Sequence, residues 1–129
     1  MKTLLTLFVL FISQAANSHE WKFIEISEEN DRYFLDTKSV TIINGNIQYW
    51  VMVNYSKMLA DIAYSVISKL EGDCYFYQVK ILEDKYYAEK NGRGTMVAGS
   101  DIPDENWTDF PEDTMFGIVL EEACKLLKQ

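Results

Sequence analysis

Asn44-Gly45 lies between the apolar run of residues 40–43 and an alternating stretch over residues 46–55, and no other dipeptide in the chain constrains the fold as much. A type I′ turn needs positive φ at both central positions, which Asn and Gly tolerate at least cost. The pair therefore predicts a two-residue β-hairpin, with residues 41–43 antiparallel to residues 46–55. In the second arm Ile47, Tyr49, Val51 and Val53 point one way, and Gln48, Trp50, Met52 and Asn54 the other. Both sets are partly apolar, so this strand reads as central, with one face on the core and the other half covered.

The rest of the chain supplies partners for that hairpin. Trp21, Phe23 and Ile26 interleave with Lys22 and Glu25 in the period of a half-buried strand. A polar turn over residues 27–31 precedes a short strand at 33–35. Residues 62–70 alternate again, and residues 73–82 read as a strand rich in Tyr and Phe, with a kink expected around 83–87. Asn91-Gly92-Arg93-Gly94 marks a turn before a short strand at 95–98, and residues 99–105 read as loop. The period then changes. Phe116, Val119, Leu120, Ala123, Cys124 and Leu127 follow helical spacing, with Glu121, Glu122, Lys125 and Lys128 opposite, and Pro111 to Thr114 supply the start signal. The expected class is α+β, an antiparallel sheet of about six strands with one C-terminal helix packed on a face.

Residues 1–18 set the compartment. Lys2 precedes a nine-residue apolar run, 4–12, which is short of the ~20 residues a membrane helix needs. Small residues follow at Ala15, Ala16 and Ser18, the pattern of a cleavable signal peptide. Residues 19–129 are then the single mature domain beginning at His19, with a cut after Ala15 or Ala16 as the alternative. No cysteine precedes Cys74, so a lipid anchor built on a cysteine at the cleavage point is not expected, nor is a transmembrane segment. In an oxidising compartment Cys74 and Cys124 are expected to pair. That bond would clamp the helix to the sheet, with Cys74 at the start of a strand. Loss of Lys2 takes the formal charge from −8 to −9, which argues against binding to phosphate backbones or anionic lipid and steers in basic partners instead.

An ordered series of residues resembles the surface-adhesin protein E family of exported Gram-negative domains. It comprises Trp21, Tyr33, Asp36, Gly45, Trp50, Tyr64-Ser65, Asp73-Cys74, Tyr86-Tyr87, Gly94, Trp107, Pro111 and Cys124. The resemblance implies an antiparallel sheet whose C-terminal helix is pinned by the disulfide. It also implies a non-catalytic adhesin that binds host matrix proteins and plasminogen as a homodimer. The chain departs from the family pattern in lacking the named adhesin's lipid anchor. It also carries Gln78 and Lys80 where a more basic stretch is expected, and Asp113-Thr114 where relatives often have Gly-Ser.

The residues offer little to catalysis. His19 is the single histidine, so neither a nucleophile–histidine pair nor a zinc site can be assembled away from the terminus, and no metal or other cofactor is expected. Glu28-Glu29 and Glu121-Glu122 read as solvated neighbours, and Gly92-x-Gly94 as a turn rather than a phosphate loop. Tyr75, Tyr77, Tyr86 and Tyr87 form a candidate aromatic contact cluster near the glycine turn. Trp107, among acids, is a further candidate anchor. The reading is a cell-envelope binding protein, adhesin-like, at the surface or in the periplasm, with a protein ligand. The alternative is a periplasmic inhibitor or assembly partner of a basic envelope protein.

Overall fold

The computed structural model describes residues 18–127, so residues 1–17 of the expected signal peptide lie outside the described residues. The chain runs β1 (Trp21–Ile26), β2 (Arg32–Asp36), β3 (Thr41–Ile43), β4 (Asn46–Leu59), β5 (Ala63–Asp73), β6 (Gln78–Tyr87), β7 (Met96–Ser100), β8 (Thr108–Asp109) and α1 (Met115–Leu126). All eight strands join one antiparallel sheet. Its main order is β1-β2-β4-β5-β6-β7, with β3 beside β2 on the edge of β4 and β8 beside β7 on the edge of β6. The strands expected from the sequence are present, including the three-residue arm β3, and β8, only two residues long, is the one addition.

The hairpin at Asn44-Gly45 forms as read. Both residues have positive φ, 51° and 84°, and Ile43 pairs with Asn46. Strand β4 runs on to Leu59 and β5 to Asp73, past the ends read at 55 and 70, and three further differences from the sequence reading bear on the fold. Residues 74–77 are a turn rather than strand, because Asp73 Oδ1 accepts from the backbone N–H of Tyr75 (2.9 Å) and Phe76 (3.0 Å), and Tyr77 adopts φ 54°. Cys74 therefore follows the end of β5 instead of opening a strand. Residues 83–87 do not kink away: the β5–β6 register slips by one residue between Lys69 and Leu70, a bulge that absorbs the irregularity, and β6 runs on to Tyr87. Strand β7 extends through Gly99 and Ser100, which had read as loop.

Alternation along the strands divides the sheet into two faces. Leu35, Ile47, Tyr49, Val51, Val53, Val66, Leu70 and Val79 point to one of them, where Val119, Leu120, Ala123 and Cys124 of α1 complete the core. Thr114 caps the helix, its Oγ1 accepting from Gly117 N–H at 3.2 Å. The Cys74–Cys124 disulfide ties the last helical turn to the β5–β6 turn, with the Cα atoms 5.9 Å apart. Among the described residues no α-helix covers the other face.

Candidate binding surface on the open face of the sheet

The residues that alternate away from the core are not a polar, solvated set. In register, Trp21 on β1 pairs with Asp36 on β2 and Trp50 on β4 with Lys69 on β5, and the neighbouring row across all four strands reads Phe23, Phe34, Met52, Ile67. Met52 is buried, Trp21, Phe34, Trp50 and Ile67 are half-buried, and Phe23 is exposed. Cations stand over this aromatic floor. The Arg32 guanidinium lies 5.6 Å from the Phe23 ring centroid, Lys69 Nζ 6.0 Å from Trp50, and Lys80 Nζ 4.9 Å from Trp107. Cation–π contacts of this kind hold long side chains down on the rings and present their charge outward.

Asp36 organises the β1–β4 end of the surface. Its carboxylate is buried and accepts from the N–H groups of Glu20 (3.0 Å) and Lys38 (3.1 Å), while His19 Nδ1 hydrogen-bonds its second oxygen at 2.5 Å. The His19 ring stacks on Trp21 at 4.7 Å and meets Trp50 edge-on at 6.0 Å. Ser39 Oγ donates to Asp36 O and accepts from Trp50 N–H, which fixes the backbone from which Trp50 projects. At the far corner the turn through Lys90–Gly92 folds onto the same face. Asn54 and Asn91 exchange hydrogen bonds at 2.8 Å, and Ser65 Oγ accepts from Gly92 N–H.

The four candidate tyrosines do not form one cluster. Tyr75 stands 85% exposed at the tip of the β5–β6 turn, against Phe76, and Tyr77 packs toward the core from the same turn. Tyr86 and Tyr87 lie at the opposite end of β6, roughly 30 Å away at strand rise. As consecutive strand residues they face opposite ways, Tyr86 into the helix side of the core and Tyr87 onto the open face. Trp107 does reach the open face, through Lys80. Trp21, Trp50, Arg32 and Lys69 were not picked out as contact residues by sequence reasoning. The available signal was Trp50 and Met52 sharing the non-core set of a central strand.

Among the described residues no group of three His, Cys, Asp or Glu side chains is placed to hold a metal ion, and His19 is engaged with Asp36. Glu121 and Glu122 are partnered by Lys125 on the helix surface. Burial pushes the hydroxyls of Tyr49 and Tyr55 well above the usual tyrosine range, which keeps both neutral. No helix of the described residues is long and apolar enough to cross a membrane.

The fold is thus an antiparallel sheet with one face closed by a disulfide-tethered helix and the other carrying an aromatic, cation-studded surface. The chain belongs to the surface-adhesin protein E family, whose model matches residues 21–125. Its fold is similar to that of Haemophilus influenzae protein E in crystal form II, with a TM-score of 0.65 and 19% identity over 83% of this chain and 90% of that one. A second H. influenzae protein E structure gives a TM-score of 0.62 at 20% identity, covering 80% and 83%. Protein E from non-typeable H. influenzae gives 0.55 at 21%, covering 80% and 72%. No curated protein sequence matched the chain.

Proposed function

We propose that this chain is an exported, non-catalytic envelope protein that binds a protein ligand through the open face of its sheet, as an adhesin would. The observation that carries the reading is the placement of Trp21, Trp50 and Trp107 with Arg32, Lys69 and Lys80 on the face the core does not use. Aromatic and Arg side chains dominate the energetics of protein interfaces, and a rigid sheet presents them without an ordering cost. In this reading residues 1–18 are removed on export and residues 19–129 act at the surface or in the periplasm. The ligand is a host matrix or envelope protein, and the chain acts as a monomer or homodimer.

A second reading is a periplasmic inhibitor or assembly partner of a basic protein. The acids of helix α1 and of the turn that leads into it, Glu121 and Glu122 with Glu112 and Asp113, favour it. Both are tested by passing the purified protein over immobilised matrix proteins, plasminogen and a basic hydrolase, alongside Trp50→Ala and Lys69→Ala variants. Matrix binding weakened by the two substitutions supports the adhesin. Hydrolase binding that is indifferent to them moves the inhibitor ahead, and binding to none of the three sinks both.

A further inference from the structure

The sheet ends in two outer strands that are built differently. β1 exposes the charged Lys22, carries Glu25 beside it, has a bulge between Phe23 and Glu25, and leans on the helix through Lys22 and Glu122 at 3.9 Å. Charge, irregularity and a neighbouring helix are the usual guards against pairing with a foreign strand. β7 has less protection. Its sequence, Met-Val-Ala-Gly-Ser, holds no charge and no proline, and all five residues are exposed. β6 pairs with one side of it, and among the described residues no strand pairs with the other. About half of the N–H and C=O groups of a strand in an antiparallel ladder point away from any one partner. The bulge in β7 lies at Val97, and regular pairing resumes from Ala98 to Ser100. Met96 and Val97 add exposed apolar surface along this edge, and Ile102, just beyond it, is 79% exposed.

A shallow groove of about 380 Å³ accompanies the edge, lined by β7 together with Glu83, Asp84, Lys85 and Asp101. Lys85 is tied to Glu83 at 3.2 Å, which leaves the groove net negative. We propose that the free edge of β7 receives an extended, basic peptide strand from a partner protein by sheet augmentation. The partner's backbone would continue the ladder, and its cationic side chains would answer Asp84 and Asp101, the acids of the groove that Lys85 does not pair. The free edge of β7 lies two strands from Lys69 on β5, and the proposal stands whether or not the tryptophan platform binds a ligand.

The test uses the purified disulfide-bonded protein and a synthetic decapeptide of alternating valine and lysine. A control peptide of the same sequence has alternate backbone nitrogens methylated, which keeps the charge but removes strand pairing. The expected result is saturable binding of the first peptide and slowed amide exchange confined to β7. Affinity should fall by about tenfold or more for the methylated peptide and for the Val97→Lys protein. Val97 is exposed, so an unchanged melting temperature certifies the variant. Equal binding of both peptides, binding that Val97→Lys leaves intact, or no binding at all overturns the proposal. Concentration-dependent protection of β7 without any peptide also overturns it, by showing that a second copy of this chain occupies the edge.

Discussion

Gly72 on β5 is the point at which Leu120 of the helix descends onto the sheet. A Cβ at position 72 would stand 2.5 Å from Leu120 Cδ1 and 3.1 Å from Tyr49 Cε1. Leu120 is fully buried and Tyr49 nearly so, which leaves neither an easy retreat. Gly72→Ala is therefore expected to destabilise the fold by about 1–3 kcal/mol through overpacking, despite the gain in strand propensity. Thermal unfolding followed by circular dichroism measures it, and a melting temperature equal to that of the parent would show that the helix rides higher on the sheet than described.

Tyr49 supplies the opposite experiment. Its ring is core, but its hydroxyl is buried and has no hydrogen-bond partner among the described residues. An unmet buried hydroxyl costs about 1–3 kcal/mol, so Tyr49→Phe should raise stability. Chemical denaturation of the two proteins side by side decides this, and a loss of stability would reveal a partner for the hydroxyl.

The same burial makes the protein alkali-sensitive. The hydroxyls of Tyr33, Tyr49, Tyr55 and Tyr86 are all raised, chiefly by desolvation, with nearby carboxylates reinforcing the shift for Tyr33, Tyr55 and Tyr86. Raised folded-state values mean that the native state holds its protons while the unfolded chain releases them above about pH 10. The contribution is fully present below that pH and is lost as pH climbs toward the folded-state values. Melting temperature should fall steeply above pH 10, with phenolate absorbance appearing together with unfolding. Smooth ionisation of all eight tyrosines in a still-folded protein would contradict the burial.

Two turns compare local sequence with what the fold demands. Asn44-Gly45 was readable because its residue types suit positive φ. Ala60-Asp61, which closes the β4–β5 hairpin with Ile62 N–H donating to Leu59 O, adopts the same sign of φ (49° and 59°) with residues that give no such signal. There the long pairing of β4 with β5 imposes the turn. Ala60→Asn should relieve that strain and stabilise the hairpin by about 0.5–1 kcal/mol. A destabilised variant would mean that the alanine makes contacts which outweigh its backbone conformation.

The contrast explains what could be read from the chain. The core face of β4 and the buried stripe of α1 follow from periodicity, since one buried face forces its own period. The Cys74 turn did not, because Tyr75, Phe76 and Tyr77 look like strand residues and only the Asp73 side chain stops the ladder. The open face was only half legible. Alternation puts Trp50 and Met52 on it, but bringing Trp21, Lys69 and Trp107 alongside needs the strand order, which no single stretch of sequence contains.

The disulfide has a local consequence as well as a global one. The start of α1 is held by packing, with Phe116 edge-on to Tyr33 at 5.7 Å and against Phe110 at 5.2 Å, and by the Thr114 cap. At its other end Leu126 is half-buried and Leu127 exposed, and Cys124 is the covalent attachment to the β5–β6 turn. Closing fifty residues of chain is worth roughly 4 kcal/mol in the loop-entropy model. Reduction should therefore lower the melting temperature, and hydrogen exchange should speed up first at residues 121–127 and in the turn at 74–77. Residues 115–119 and strands β4 and β5 should keep their protection until the whole domain opens. Uniform acceleration along the helix would show that the bridge, rather than Phe116 and Leu120, seats it on the sheet.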